Sequence, residues 1–331
     1  MSTADGMEEI DDETVTRSQR LNGMEKNRQR FGNAARLSVL ILVFLAPVSR
    51  AGATAPAEDH SQHAKVELVA EKGAVAPGET AWLGLHFVLD PGWHIYWQNP
   101  GDSGEPPRVQ WNLLAGFRVG SIEWPAPQRL GSGTVIDFGY SGETLLMIPL
   151  AIPANAAPGA QEKLTATAKW LVCREICIPD RALLSLTMEI VTRPSHAGSK
   201  LPPGTAPLPP SAAQALFARF RKLVPAAVPS NWNVKAISEG GDLILSVESG
   251  NPVEHAAFYP FLPDPIENSA PQAAIRLAKG VQLTLHKSDQ QVKPVAILKG
   301  VLVLGDPENS ASGSGGGSYR ITVPVRHAGK Q

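Results

Sequence analysis

The sequence predicts an all-β protein of two domains. Three observations carry that expectation. From Lys65 onward, short apolar stretches are broken by Gly, Pro, Asn and Asp about every ten residues, the rhythm of a sandwich or barrel. Helical periodicity is confined to one stretch, and a proline-rich spacer divides the chain. The 331 residues are 43% hydrophobic and 18% charged, enough apolar material for one or two cores and too much for a disordered chain. Thirty basic against thirty-one acidic residues leave a net charge of -1, so no broad footprint for nucleic acid or an anionic membrane is present.

In chain order, Met1 to Gly23 is acidic, with Asp5, Glu8, Glu9, Asp11, Asp12 and Glu13 against Arg17 and Arg20. Residues 24–55 then read as a signal peptide and its cleavage region. Lys26, Arg28, Arg30 and Arg36 precede the apolar run Leu37 to Ala46, and Ala51-Gly52-Ala53-Thr54-Ala55 offers small-residue cleavage sites. Met24 opens a normally proportioned basic leader, which makes residues 1–23 an over-extended start. The apolar run is too short to span a bilayer comfortably, and no later segment has eighteen uninterrupted apolar residues. The product is therefore expected to be exported and not membrane-spanning after cleavage.

Residues 56–193 form the first expected domain. Its strands fall at Lys65 to Ala70, Thr80 to Leu89, Trp93 to Gln98, Arg108 to Trp111, Arg118 to Trp124, Thr144 to Ile152, Thr165 to Val172 and Ala182 to Val191. In Thr80 to Leu89, Ala81, Leu83, Leu85, Phe87 and Leu89 share one face, and Trp82, Gly84, His86 and Val88 the other. Asn99-Pro100-Gly101-Asp102 and Ser141-Gly142 supply turn chemistry. Residues 194–210, within a stretch of six prolines, read as a semi-extended linker.

Residues 211–331 form the second, β-rich domain. It opens with one helix, Ser211 to Val224, whose Leu216, Phe217, Phe220 and Leu223 recur at helical spacing and would cap that domain. Strands follow at Asp242 to Val247, Ala274 to Leu277, Val281 to His286, Val295 to Leu304 and Tyr319 to Val325, and the Ser/Gly stretch Asn309 to Ser318 reads as a loop. Six of the seven tryptophans fall in the first domain. Trp93, Tyr96 and Trp97, beside a Pro-Gly loop, are candidates for a functional face.

The two cysteines, Cys173 and Cys177, are the only ones. Consecutive turns of a helix hold side chains roughly 5–6 Å apart, beyond the roughly 3.8 Å between β-carbons that a disulfide needs. Opposed residues of a hairpin come close enough. So small a ring stabilises a fold by only about 2 kcal/mol, against about 5 for a ring of a hundred residues, which favours exchange over stapling. A structural disulfide and a thiolate metal site remain alternatives. The eight histidines form no His-x3-His cluster, although His60 and His63 near the new N-terminus could assist soft thiolates at a copper site. Gly-x-Ser-x-Gly, His-Glu-x-x-His and phosphate-binding glycine loops are all missing.

Four segments together resemble the N-terminal domain of the thiol:disulfide interchange protein DsbD family, including its ScsB-like relatives. They are Gly92-Trp93-His94-Ile95-Tyr96-Trp97-Gln98-Asn99-Pro100-Gly101-Asp102-Ser103-Gly104, Glu123-Trp124-Pro125-Ala126-Pro127, Phe138-Gly139-Tyr140-Ser141-Gly142-Glu143 and the stretch Cys173 to Pro179. The likeness runs from about Val66 to Val191. It implies an immunoglobulin-like sandwich whose pair Cys173 and Cys177 carries electrons from a membrane-embedded reductase to periplasmic thioredoxin-like or cytochrome-assembly proteins. By the same resemblance, Tyr96 occupies an aromatic position beside the pair. Asp137, Phe138 and Tyr140 fall in the aromatic cap loop that shields it until a partner docks. A cap is chemically sensible, because an accessible thiolate in an oxidising compartment loses its electrons to any oxidant.

The family's membrane domain and thioredoxin-like domain have no counterpart in this sequence, so the expected carrier works in the periplasm with a separate membrane electron-transfer protein. No metal or organic cofactor is implied. The alternative is a non-enzymatic binding module with a structural disulfide, or a copper-handling protein.

Overall fold

The computed structural model describes residues 62–131, 133–192, 212–305 and 317–328. The residues read as an over-extended start, a signal region and a linker, and most of the Ser/Gly stretch, lie outside the described residues.

In chain order, the first domain contains β1 (Ala64–Ala70), β2 (Ala74–Val75), β3 (Thr80–Leu89), β4 (His94–Gly101), β5 (Arg108–Asn112) and β6 (Arg118–Val119). It continues with β7 (Gln128–Leu130), β8 (Asp137–Ser141), β9 (Glu143–Ala151), β10 (Gln161–Cys173) and β11 (Cys177–Ile190). One sheet has the order β1-β3-β9-β6, the other β2-β11-β10-β4-β8-β7, with β5 also paired to β10. Their facing sides form one core. Leu83, Leu85 and Phe87 of β3 and Leu146 and Ile148 of β9 meet Ile95 and Trp97 of β4 and Leu164 and Trp170 of β10. The alternation read in Thr80 to Leu89 is the one observed, with Ala81, Leu83, Leu85, Phe87 and Leu89 all buried.

The outer face of the first sheet is covered as well. Helix α1 (Ala212–Arg221) lays Phe217 and Phe220 against Leu145 and Met147 of β9, with Trp82 alongside. Gly84 makes room for this contact, because a β-carbon there would stand 2.5 Å from Leu145 Cδ1 and 3.1 Å from Phe217 Cζ. Ion pairs flank the apolar seam, Arg219 to Glu143 at 2.6 Å and Arg221 to Glu71 at 2.9 Å. Burial disfavours the charge on Glu143, but hydrogen bonds and charges from Arg219 and His86 outweigh it and hold the carboxyl below its usual range. The helix precedes the second domain in sequence yet packs on the first, where β9 presents an apolar outer surface.

The second domain contains β12 (Ala226–Ala227), β13 (Asn233–Glu239), β14 (Asp242–Glu248), β15 (Ala256–Pro260), β16 (Ala273–Leu277), β17 (Gly280–His286), β18 (Ile297–Leu304) and β19 (Ser318–His327). The order β15-β18-β19-β13-β14-β17-β16, with β12 on β19, makes a sheet that curls into a nearly closed barrel. Leu243, Leu245, Val247, Phe258, Leu283 and Leu302 fill it.

The barrel and the sandwich share apolar packing. Tyr259, Val301 and Val303 join the sandwich core, Tyr259 edge-on to Phe138 at 5.3 Å, and Phe261 lies tilted against Trp97 at 5.8 Å. Asn99, only 2% exposed, donates through Nδ2 to the carbonyls of Pro260 at 2.8 Å and Leu262 at 3.1 Å. The expected turn at Asn99 to Asp102 is therefore not free. β4 continues to Gly101, its pairing with β8 shifts register between Tyr96 and Gly101, and this irregular stretch turns Asn99 toward the barrel.

Three phenols make the fold sensitive to alkali. Burial pushes Tyr259 up to about 12, with Arg129 opposing, holds Tyr140 well above its usual value and raises Tyr96. The folded state then binds these protons more tightly than the unfolded chain, whose phenols titrate near about pH 10. Their stabilisation is whole below about pH 10 and disappears as pH rises through the folded values. Urea midpoints and tyrosinate absorbance measured together against pH are expected to show the alkaline loss of stability setting in above about pH 10, in step with late phenol ionisation. Ionisation of all the tyrosines at the ordinary value in folded protein would contradict the burial.

Candidate redox site

The site is built at the end of the longest hairpin. β10 and β11 pair without interruption from Gln161 opposite Glu189 to Cys173 opposite Cys177, and the Arg174 amide donates to the Ile176 carbonyl at 3.1 Å to close the three-residue loop. This register places the two α-carbons 4.2 Å apart, and the sulfurs are joined. The hairpin geometry inferred from the spacing is the one the chain adopts. Cys173 also pairs with His94 of β4 and is only 2% exposed, whereas Cys177, on the open strand of the loop, is exposed. Ile176 beside it is 66% exposed.

The period-two alternation of β4 sends Ile95 and Trp97 into the core and leaves His94 and Tyr96 on the sulfur side. The Tyr96 ring is fully buried, but its hydroxyl reaches Cys177 Sγ at 3.2 Å. A disulfide sulfur carries no hydrogen, so the phenol donates. Gly104, with φ of 77°, lets the following loop lie flat on the Tyr96 ring, where a side chain would collide. Behind the phenol, Ser103 Oγ stands 3.4 Å from Tyr96 and donates to Asp137 Oδ1 at 2.9 Å, while the Ser103 amide donates to the same oxygen at 3.1 Å. His94 completes the group. Its Nε2 is buried without a hydrogen-bond partner, 3.7 Å from Asp137 Oδ2, and its ring meets Tyr96 edge-on at 5.3 Å. Burial, helped by the Asp137 charge and opposed by Ser103, raises the Tyr96 phenol, which stays a proton donor at neutral pH.

The residues singled out in the sequence thus divide. Cys173, Cys177, Tyr96 and Asp137 come together. Phe138 and Tyr140 point to the other side of β8, where Phe138 meets Tyr259 and the Tyr140 hydroxyl donates to the Pro125 carbonyl at 2.8 Å. All three of Asp137, Phe138 and Tyr140 lie in a strand hydrogen-bonded to β4, not in a loop. Trp97, a candidate for a functional face, is wholly buried, while Trp93 is half-buried and stacks on His63 at 3.7 Å. Ser103 and His94 belong to the site without having been singled out, although both stand within the segment Gly92 to Gly104. Among the described residues, no group of three or more His, Cys, Asp or Glu could hold a metal ion. His60 lies outside them.

Residues 65–189 match the family model described as thiol:disulfide interchange protein DsbD, N-terminal. This segment is a DsbD N-terminal domain. The chain is also similar in fold to the N-terminal periplasmic domain of ScsB from Proteus mirabilis, at 17% identity and a TM-score of 0.57, over 80% of this chain and 94% of that one. That likeness extends beyond the DsbD N-terminal domain into the barrel. A protein of unknown function from Porphyromonas gingivalis W83 (9% identity, 79% of this chain, 99% of that one) and the periplasmic chaperone SfaE (9%, 78% and 99%) align with TM-scores of only 0.23 and 0.19, which carry no argument. No curated protein matches the chain. Within the described residues, no helix is long and apolar enough to cross a membrane.

The Tyr96 hydroxyl is expected to stabilise the Cys177 thiolate once the pair is reduced, because a hydrogen bond to a charged group is worth about 1.5–3 kcal/mol. In Tyr96→Phe, the midpoint of the pH profile for iodoacetamide alkylation of Cys177 is expected to rise by about one unit or more. An unchanged midpoint would remove Tyr96 from the chemistry.

Proposed function

We propose that the chain is a periplasmic thiol-disulfide exchange protein. It passes electrons from a membrane reductase to thioredoxin-like proteins through Cys173 and Cys177. The observation that carries this reading is the unequal burial of the two joined cysteines, Cys177 exposed and Cys173 held against β4, in a DsbD N-terminal domain. An incoming thiolate must approach along the disulfide axis at an accessible sulfur, which favours the exposed Cys177 over the buried Cys173.

In the loading half-reaction, a reductase thiolate attacks Cys177 Sγ, the Cys173–Cys177 bond breaks, and Cys173 leaves as a thiolate that takes a proton. The reductase's second thiolate then attacks its own sulfur in the mixed disulfide, releasing Cys177 reduced and leaving the reductase oxidised by two electrons. In the delivery half-reaction, the Cys177 thiolate attacks the partner disulfide, expelling one partner thiolate. Cys173 deprotonates, attacks Cys177 Sγ and expels the second. The partner gains two electrons and two protons, and the carrier returns to its disulfide. Tyr96 donates to Cys177 in the disulfide form, and a phenol kept at that place opposes protonation of Cys177 once the pair is reduced.

The roles of the sulfurs are separable. Reduced Cys173→Ser protein is expected to accumulate a mixed disulfide with an oxidised thioredoxin-like protein, visible as a reductant-sensitive band. Cys177→Ser is expected to form none. Equal trapping by both variants, or exchange that survives Cys177→Ser unchanged, would overturn the assignment.

A further inference from the structure

We propose that the barrel domain is a positioning element for the redox pair, acting through Asn268. This inference rests on the exchange reading and adds to it a job for the second domain, which contains neither cysteine.

The argument begins with Asn268, 5% exposed, in the segment between β15 and β16. Its Nδ2 donates to Asp102 Oδ1 of the sandwich at 2.8 Å, and its Oδ1 is buried with no partner. Reversing the amide would set that oxygen against a carboxylate, so the orientation is fixed by charge. An unpartnered buried carbonyl is a cost the barrel carries to make this one contact. Asp102 in turn grips the residue before Asp137: its Oδ2 accepts from the Ile136 amide at 2.7 Å, and its own amide donates to the Ile136 carbonyl at 2.9 Å.

The next residue along, Ser103, grips Asp137 in the same manner with its amide and hydroxyl. Two consecutive residues of one loop therefore bind two consecutive residues at the start of β8. Ser103 Oγ also lies against the Tyr96 oxygen at 3.4 Å, a packing contact and not a further hydrogen bond, because the Ser103 proton goes to Asp137 and the Tyr96 proton to Cys177 at 3.2 Å. The barrel is thus linked to Cys177 through hydrogen bonds and this one contact. Asn99 strengthens the frame by holding two barrel carbonyls with Nδ2 while its Oδ1 accepts from the Gly101 amide at 3.2 Å. Asp102 is itself exposed, so cutting the Asn268 contact releases its carboxylate from the barrel, loosens the start of β8 and withdraws the Tyr96 hydroxyl from Cys177.

Alkylation of Cys177 after chemical reduction tests this in the whole chain and needs no partner protein. Failure here leaves the trapping result untouched. Arg174 and Glu175 in the loop, and His94 and Asp137 behind the phenol, are unchanged in every variant of the test. Asn268→Ala is expected to raise the midpoint of the alkylation pH profile toward the Tyr96→Phe value, and to cause no further rise when combined with Tyr96→Phe. Asn99→Ala, which cuts the other clasp, is expected to behave alike and serves if Asn268→Ala does not fold. No shift in a folded variant, or a shift of the same size with and without the Tyr96 hydroxyl, would overturn the proposal.

Discussion

The uninterrupted register of β10 against β11 is the constraint on which the site depends. A slip of one residue along that hairpin would reverse which side chains face the core and would separate the sulfurs. The register is held by burial at alternate positions, with Leu164, Trp170 and Val172 of β10 and Leu184, Met188 and Ile190 of β11 locked in the sandwich core. The pair at the tip inherits its geometry from a long run of strand pairing rather than from the five residues that contain it. Because β4 flanks β10 and not β11, the same pairing buries Cys173 and exposes Cys177.

Much of this was legible in the sequence. Alternation marked β3, a short apolar run marked β9, the cysteine spacing marked a hairpin, and the family resemblance brought Tyr96 and Asp137 to the pair. β8 was hidden because Ser141-Gly142 carries turn chemistry and the resemblance placed Asp137, Phe138 and Tyr140 in a cap loop. In the fold Gly139 is a strand residue pressed against the Ile95 carbonyl, where a β-carbon has no room. β13 and β15 were also missed, one having a weak apolar pattern in which Lys235 and Glu239 are charged and the other ending in proline.

The contacts between domains were not legible at all. Asn99 and Asp102 carry local turn chemistry, and nothing in their neighbourhood announces partners more than 160 residues away. Helix α1 shows the same limit, since its apolar face was plain but its partner, the outer surface of β9, was not. Sequence patterns report which faces must be covered. The covering element is decided by chain connectivity and by where small residues such as Gly84 allow close approach.

The account turns on whether Cys173 and Cys177 cycle between disulfide and dithiol in the cell. Acid quenching of native cells, followed by a mass-shifting maleimide, reads that state directly. The account predicts a fraction of the protein carrying two tags, which grows when the supply of reducing equivalents to the periplasm is raised. Protein that carries none under every growth condition would contradict it.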